Sequence, residues 1–277
     1  MTNLADFYQK EYRGGGTIPD YDQYFVRWKE NSEAARRQLT GNLNLRYGSS
    51  DKETLDLFPA PKSTHTVLFI HGGYWHSMDK DDYSYIASPF VNAGISVAVL
   101  NYALCPTVAM ATIVDQCRRA VAWLYQHGRN YGVNSERLVI TGHSAGGHLT
   151  AMMFATDWSA YNIPATAIAG GIALSGLFFL DPFLLISLNE QLKLDQASVT
   201  ALSPAYLLPQ ISSPLMAVVG GLESNEFKRQ TQSIAAAWPV NCPTAMVIEN
   251  RHHFDILDEL TGLGSPLWQR CAAMLAS

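Results

Sequence analysis

The sequence predicts an α/β fold, a mostly parallel central sheet with helices on both faces. Three observations predict it. Short apolar, β-branched runs alternate with segments of helical periodicity, the order that parallel strands and crossover helices require. Gly142-x-Ser144-x-Gly146 stands where one of these runs meets a helical segment. The 277 residues are 48% hydrophobic and 16% charged, which suits one well-buried domain spanning 1–277.

The elements follow in order. Residues 18 to 40 predict a helix carrying Tyr24, Phe25, Trp28 and Ala35 among charges, within an N-terminal helical segment, 1–42. Such a helix packs either over a site at the strand ends or on the body of the domain; the body is the simpler expectation. Leu43 to Tyr47 and Thr54 to Phe58 alternate around a polar turn, an antiparallel hairpin at a sheet edge. Thr66 to Ile70 is a buried strand. Asp81 to Ala93 is expected to be a helix ending at Gly94, followed by a strand over Ile95 to Leu100. Thr112 to Gln126 is amphipathic, with Ile113, Cys117, Ala120, Val121 and Leu124 on one face. Arg137 to Ile140 is the strand before the Ser144 turn, and a helix starts at Gly147. Ala165 to Leu174 reads as a central buried strand. Leu177 to Leu185 is too apolar for a solvated loop and too broken for a strand. It predicts a cap-like insertion over about 176–210 that walls an apolar pocket. Strands at Pro214 to Val219 and Ala245 to Ile248 and a helix from Gly262 to Ala276 complete the chain.

Composition narrows the function. A formal net charge of −5 suggests no nucleic-acid partner. Cys105, Cys117, Cys242 and Cys271 lack C-x-x-C spacing and sit in apolar surroundings, so free buried thiols are expected, with no metal site. Ile163 to Leu188 is interrupted by Gly170-Gly171, Gly176 and Asp181-Pro182, so no membrane span is expected. Met1 to Tyr12 carries Asp6, Lys10 and Glu11 and lacks an apolar core; no signal peptide is expected, and the location by default is cytoplasmic. The oligomeric state is left open, with a homodimer as one option.

Three stretches carry chemistry. In Gly142-His143-Ser144-Ala145-Gly146, glycines let strand and helix approach, and Ser144 stands in a strained turn at a helix N-terminus, the nucleophile elbow of α/β-hydrolases. His71-Gly72-Gly73-Tyr74-Trp75 follows a central strand. The Gly-Gly pair lets backbone N–H groups turn inward, so Gly73, Tyr74 and Ala145 are assigned as oxyanion donors, and His71 as a structural histidine. Tyr74 and Trp75 read equally as core or pocket wall. The acid should lie after the Pro214 to Val219 strand. No aspartate occurs between Asp195 and Asp255, which leaves Glu223 or Glu226; Glu223 follows the strand directly and is preferred. The histidine should follow the last strand, where His252 and His253 are adjacent.

Together with Glu223 to Gln230 and His253-Phe254-Asp255, these motifs resemble the kynurenine formamidase (arylformamidase) branch of the α/β-hydrolases, close to hormone-sensitive-lipase-like esterases. The resemblance covers most of the chain from about Tyr47. It implies an α/β-hydrolase fold and a serine hydrolase with catalytic Ser144, Glu223 and His253, the histidine being selected by its place before Phe-Asp. The family acid is often aspartate, so Glu223 is a departure of the same charge. The substrate implied is a small-molecule aryl formamide such as N-formylkynurenine, the alternative being short-chain esters, with no cofactor. Trp75, His143, Phe178 and Phe179 are the expected pocket residues.

Overall fold

The apolar runs form one eight-stranded sheet in a computed structural model that describes residues 3–13 and 18–276. The strands are β1 (Asn42–Arg46), β2 (Thr54–Phe58), β3 (Thr66–Ile70), β4 (Ser96–Leu100), β5 (Leu138–His143), β6 (Ile168–Leu174), β7 (Leu215–Gly220) and β8 (Ala245–Ile248). Their spatial order is β1-β2-β4-β3-β5-β6-β7-β8. β2 is antiparallel to β1 and β4, and every other pairing is parallel. This is the α/β-hydrolase architecture, with the expected hairpin at one edge.

β3 pairs with β4 on one side and β5 on the other. The chain therefore changes direction of travel across the sheet at β3, and a crevice opens at the carboxyl ends of β3 and β5. All residues of β3, β4 and β5 are buried, because helices cover both faces.

The helices are α1 (Leu4–Glu11), α2 (Asp22–Gln38), α3 (Ala87–Asn92), α4 (Met110–His127), α5 (Ala145–Phe154), α6 (Asn189–Leu192), α7 (Gln196–Leu202), α8 (Asn225–Ala237), α9 (Ile256–Thr261) and α10 (Pro266–Ala276). One core packs α4, α5, α8 and the 176–210 segment through Ile113, Leu149, Ile234 and Phe178. The other packs α2, α3, α9 and α10 through Trp28, Phe90, Leu257 and Leu267. All four cysteines are buried and free, as expected.

Several boundaries differ from expectation for local reasons. Asp81 to Ala93 is two 3-10 turns followed by α3. Asp79 and Asp82 cap the first turn reciprocally, and Pro89 is tolerated only in the first turn of a helix, which places the start of α3 at Ala87. The last helix starts at Pro266 and not at Gly262, since Gly264 holds φ +91°. Ala165–Ala167 is a 3-10 turn that precedes β6. α1 falls within the expected N-terminal helical segment, whereas α6, α7 and α9 were not anticipated.

Candidate active site

The elbow is built by two close approaches. A Cβ on Gly142 would stand 2.2 Å from the Gly146 carbonyl oxygen, and one on Gly146 would stand 1.9 Å from that of Ile70. No side chain fits at either place. Ser144, between them, takes φ 56° and ψ −117° and begins α5. Its own N–H donates to the Leu174 carbonyl at 2.8 Å, which fixes the turn against β6.

The loop after β3 faces this turn. Gly73 has φ +105°, and Tyr74 and Trp75 have φ 48° and 60°, three successive residues in the left-handed region. The Gly73 carbonyl accepts from the N–H groups of His76 and Ser77, both at 3.0 Å. The N–H groups of Gly73, Tyr74 and Ala145 have no acceptor among the described residues. His71 props this loop. It stacks on Tyr102 with centroids 4.1 Å apart, and its Nδ1–H donates to the Gly72 carbonyl at 2.7 Å. Asn101 stands at its Nε2 and in turn donates to Asp79. Burial pushes the His71 pKa down to about 4, so the ring is neutral.

Glu223 and His253 are brought together by β7 and the loop after β8. Glu223 Oε2 accepts from His253 Nδ1 at 2.7 Å. Its other oxygen accepts from the Gly220 N–H at 2.8 Å and the Ser175 hydroxyl at 2.5 Å. Both oxygens are thus satisfied, and the carboxylate is held to one orientation. Glu226 is engaged elsewhere. It accepts from the Tyr12 hydroxyl at 2.8 Å and pairs with both ends of the Arg229 guanidinium at 2.8 and 2.7 Å. His252 also points away from Ser144. Its Nδ1 accepts from the N–H groups of Phe254 and Asp255, so its Nε2–H donates to the Tyr24 hydroxyl at 3.0 Å.

A cavity of about 190 Å³ contains Ser144, His143 and His253 in its lining. Gly73, Tyr74, Ser77, Met78, Tyr83 and Phe254 line it too, and the N-terminal segment adds Arg13, Tyr21, Phe25 and Trp28. α2 therefore covers the site and does not merely pack on the body. Three links dock it on the His253 loop and α9: Tyr24 to His252, one Arg27 nitrogen shared between both Asp258 oxygens at 2.9 and 3.0 Å, and the Tyr21 ring stacked on Phe254 at 6.1 Å.

Of the four expected pocket residues, only His143 lines this cavity. Trp75 is fully buried beside it; its Nε1–H donates to His148 Nδ1 at 3.2 Å, and its ring meets Phe183. Phe178 is fully buried in the core, and Phe179 packs on Tyr206 and under Arg229. The reason is topological. The 176–210 segment runs along the face that holds α1, α5 and α8, so its apolar run fills core and contributes nothing to the cavity at Ser144. Ser175 and the α2 aromatics were missed. Ser175 carries no sequence signal, whereas Tyr21, Phe25 and Trp28 sit four and three residues apart, one stripe of a helix.

Among the described residues, no group of three or more His, Cys, Asp or Glu side chains is placed to hold a metal ion. No helix among them is long and apolar enough to cross a membrane.

The BD-FAE family model matches residues 55–163. Kynurenine formamidase of Salmo salar is 32% identical over 84% of this chain and 81% of that protein. The enzyme of the same name from Danio rerio is 30% identical over the same shares. A solved structure described as a thioesterase from Silicibacter sp. TM1040 superposes with a TM-score of 0.83 at 30% identity, covering 97% of this chain and 98% of that one.

Proposed function

The chain belongs to the kynurenine formamidase-like branch of the α/β-hydrolase superfamily, and we propose from that premise that it is a serine hydrolase that removes a small acyl group from an aryl formamide such as N-formylkynurenine. His253 takes the proton of Ser144 as the hydroxyl adds to the carbonyl carbon. Glu223 keeps His253 in the tautomer that leaves Nε2 free to accept, and stabilises the imidazolium that forms. The N–H groups of Gly73, Tyr74 and Ala145 receive the developing oxyanion. Collapse breaks the bond to the leaving nitrogen, which takes the proton from His253. Water then attacks the acyl-enzyme and Ser144 is released.

The observation that carries the substrate reading is the wall of the cavity. Tyr21, Phe25, Trp28, Tyr83 and Phe254 present flat apolar surface to a leaving group, and about 190 Å³ suits a compact aromatic molecule better than a long acyl chain. Arg13 brings a cation to the same cavity, which suits a leaving group with a carboxylate.

The test is kcat/KM for N-formylkynurenine against aryl acetate, butyrate and octanoate. The formamide and the acetate are expected to lead, with efficiency falling as the acyl chain grows. Efficiency rising with chain length and no formamide cleavage would replace this reading with a general carboxylesterase. Arg13→Ala should raise KM for N-formylkynurenine and leave uncharged formanilide unaffected.

A further inference from the structure

The Tyr74 N–H is one of the donors assigned to the oxyanion, and its aim depends on a backbone conformation that residues other than glycine adopt rarely. Tyr74 and Trp75 stand at φ 48° and 60°, both left-handed. Such conformations persist only where the surroundings fix them. Trp75 is fixed from the body of the domain. Its Nε1–H donates to His148 Nδ1 at 3.2 Å, and its carbonyl accepts from the Cys105 N–H at 2.8 Å. Tyr74 is fixed from the N-terminal helix. Its hydroxyl donates to the Tyr12 carbonyl at 2.8 Å, across 62 residues of sequence. Burial pushes the Tyr74 pKa well up, so the hydroxyl stays a donor. Tyr12 caps the C-terminal end of α1, where carbonyls lack intrahelical partners and the helix dipole is negative, which makes its oxygen a good acceptor.

Tyr12 is in turn locked to α8. It is 3% exposed. Its hydroxyl donates to Glu226 Oε2 at 2.8 Å and accepts from Gln230 Nε2 at 2.7 Å. Its ring centroid lies 4.9 Å from that of Phe183 and 5.8 Å from that of Phe227. The Glu226 N–H donates to Glu11 Oε2 at 3.1 Å, a second tie between α1 and α8. The Phe227 ring lies 4.5 Å from that of His253. Tyr12 thus reaches both halves of the site, the oxyanion loop through its carbonyl and the His253 side through Phe227.

Resting on the serine-hydrolase reading, we propose that Tyr12 is a positioning residue for the oxyanion hole. α8 holds its ring and hydroxyl, its carbonyl holds the Tyr74 side chain, and the Tyr74 N–H keeps its direction towards the oxygen on which charge develops. Tyr12 makes and breaks no bond. Its effect falls on the tetrahedral state, whose oxygen carries the charge, and spares the ground-state carbonyl.

The experiment uses two conservative variants. Tyr74→Phe removes one hydroxyl and keeps the ring; Tyr12→Phe frees Tyr12 from Glu226 and Gln230 and keeps its ring. Active enzyme is counted by titration with a serine-directed organophosphate, so that a misfolded fraction does not enter the rates. With p-nitrophenyl acetate, kcat and kcat/KM should fall together, about tenfold in Tyr74→Phe and about threefold in Tyr12→Phe, as expected when one hydrogen bond supports a contact made only in the transition state. An aryl trifluoromethyl ketone accepts Ser144 Oγ at its carbonyl carbon, the proton passing to His253, and so places an oxyanion in the hole. Its affinity should fall by the same factors, while that of the matching methyl ketone stays within about twofold. A general loosening of the structure would weaken both ketones. Because Tyr12 acts through Tyr74, the double variant should lose about tenfold and not the roughly thirtyfold of independent effects. An unchanged trifluoromethyl ketone affinity in Tyr74→Phe, equal weakening of both ketones, or full multiplication in the double variant each overturns the proposal. Tyr74→Phe leaves Tyr12 intact, so the ketone comparison decides the matter where Tyr12→Phe does not fold. A wild-type enzyme that forms no adduct on Ser144 with either the ketone or the organophosphate removes the serine reading beneath it, whereas adducts with unaltered variants remove the role of Tyr12 alone.

Discussion

Glu223→Gln tests how the site sets the tautomer of its base. In the native carboxylate, Oε1 receives two donors, the Gly220 N–H at 2.8 Å and the Ser175 hydroxyl at 2.5 Å, and Oε2 receives His253 Nδ1–H at 2.7 Å. An amide has one oxygen and one NH2 group. If its oxygen keeps the two donors, its NH2 faces Nδ1, which must then become the acceptor. The proton moves to Nε2, and His253 presents a donor where Ser144 needs a base. If the amide is reversed, its NH2 opposes the Gly220 N–H, a buried donor left unsatisfied at a cost of about 1–3 kcal/mol. The first arrangement is favoured, since the serine hydroxyl can rotate but the backbone donor cannot. The expected loss in kcat is roughly 10⁴, the effect of the same exchange in serine proteases, or about 5.4 kcal/mol of transition-state stabilisation. KM should change little, because Glu223 does not line the cavity at Ser144. The assay is steady-state hydrolysis of p-nitrophenyl acetate and N-formylkynurenine, with folding checked by thermal melting. Ser175→Ala leaves the Gly220 donor in place and should cost about tenfold or less. A loss under tenfold in Glu223→Gln, or a greater loss in Glu226→Gln, would refute the reasoning.

Three further outcomes are expected. Ser144→Ala should abolish labelling by a serine-directed organophosphate and leave at most a residual rate of roughly 10³–10⁴ over water; undiminished turnover would remove Ser144 as nucleophile. His253→Ala should lower kcat by roughly 10³ or more, whereas His252→Ala, which severs the Tyr24 link and strips the Phe254 and Asp255 N–H groups of their acceptor, should cost less than about tenfold; the reverse ranking would exchange the two histidines. His71 and His148 are each held by burial at a pKa of about 4, against an ordinary 6.5. Since the unfolded chain binds protons that these folded rings refuse, their contribution is complete above pH 6.5 and is lost as pH falls towards 4, by about 3 kcal/mol for each ring. Urea midpoints at pH 7 and pH 4.5 measure this, and equal midpoints contradict it.

Much of this molecule was legible in one dimension. The strands could be read because a sheet covered on both faces needs continuous apolar runs, and β3, β5 and β8 were placed to within a residue or two of each start. The Ser144 turn could be read because at Gly142 and Gly146 a Cβ would stand 2.2 and 1.9 Å from a backbone oxygen, a place no other residue fits. The meeting of Glu223 with His253 could be read because each follows a strand whose end faces the same crevice. These are local constraints, written in residue types at short spacing.

What lies over the site was decided only in three dimensions. Leu177, Phe178, Leu180, Phe183 and Trp75 had the composition of a pocket wall, yet they fill the core, since apolar side chains serve either place equally and only the path of the chain distinguishes them. Tyr21, Phe25 and Trp28 form the wall instead, carried over the sheet by α2 and held there by His252, Asp258 and Phe254, more than 200 residues away in sequence. Ser175 reached Glu223, and the His143 ring reached the His253 carbonyl, through the same kind of long-range meeting. The sequence by itself determined the strands, the turn that carries Ser144 and the three residues proposed to act on a carbonyl. The tertiary structure alone decided what covers Ser144 and which buried groups face it, because those depend on how separate elements pack and leave no periodic or local mark on the residues involved.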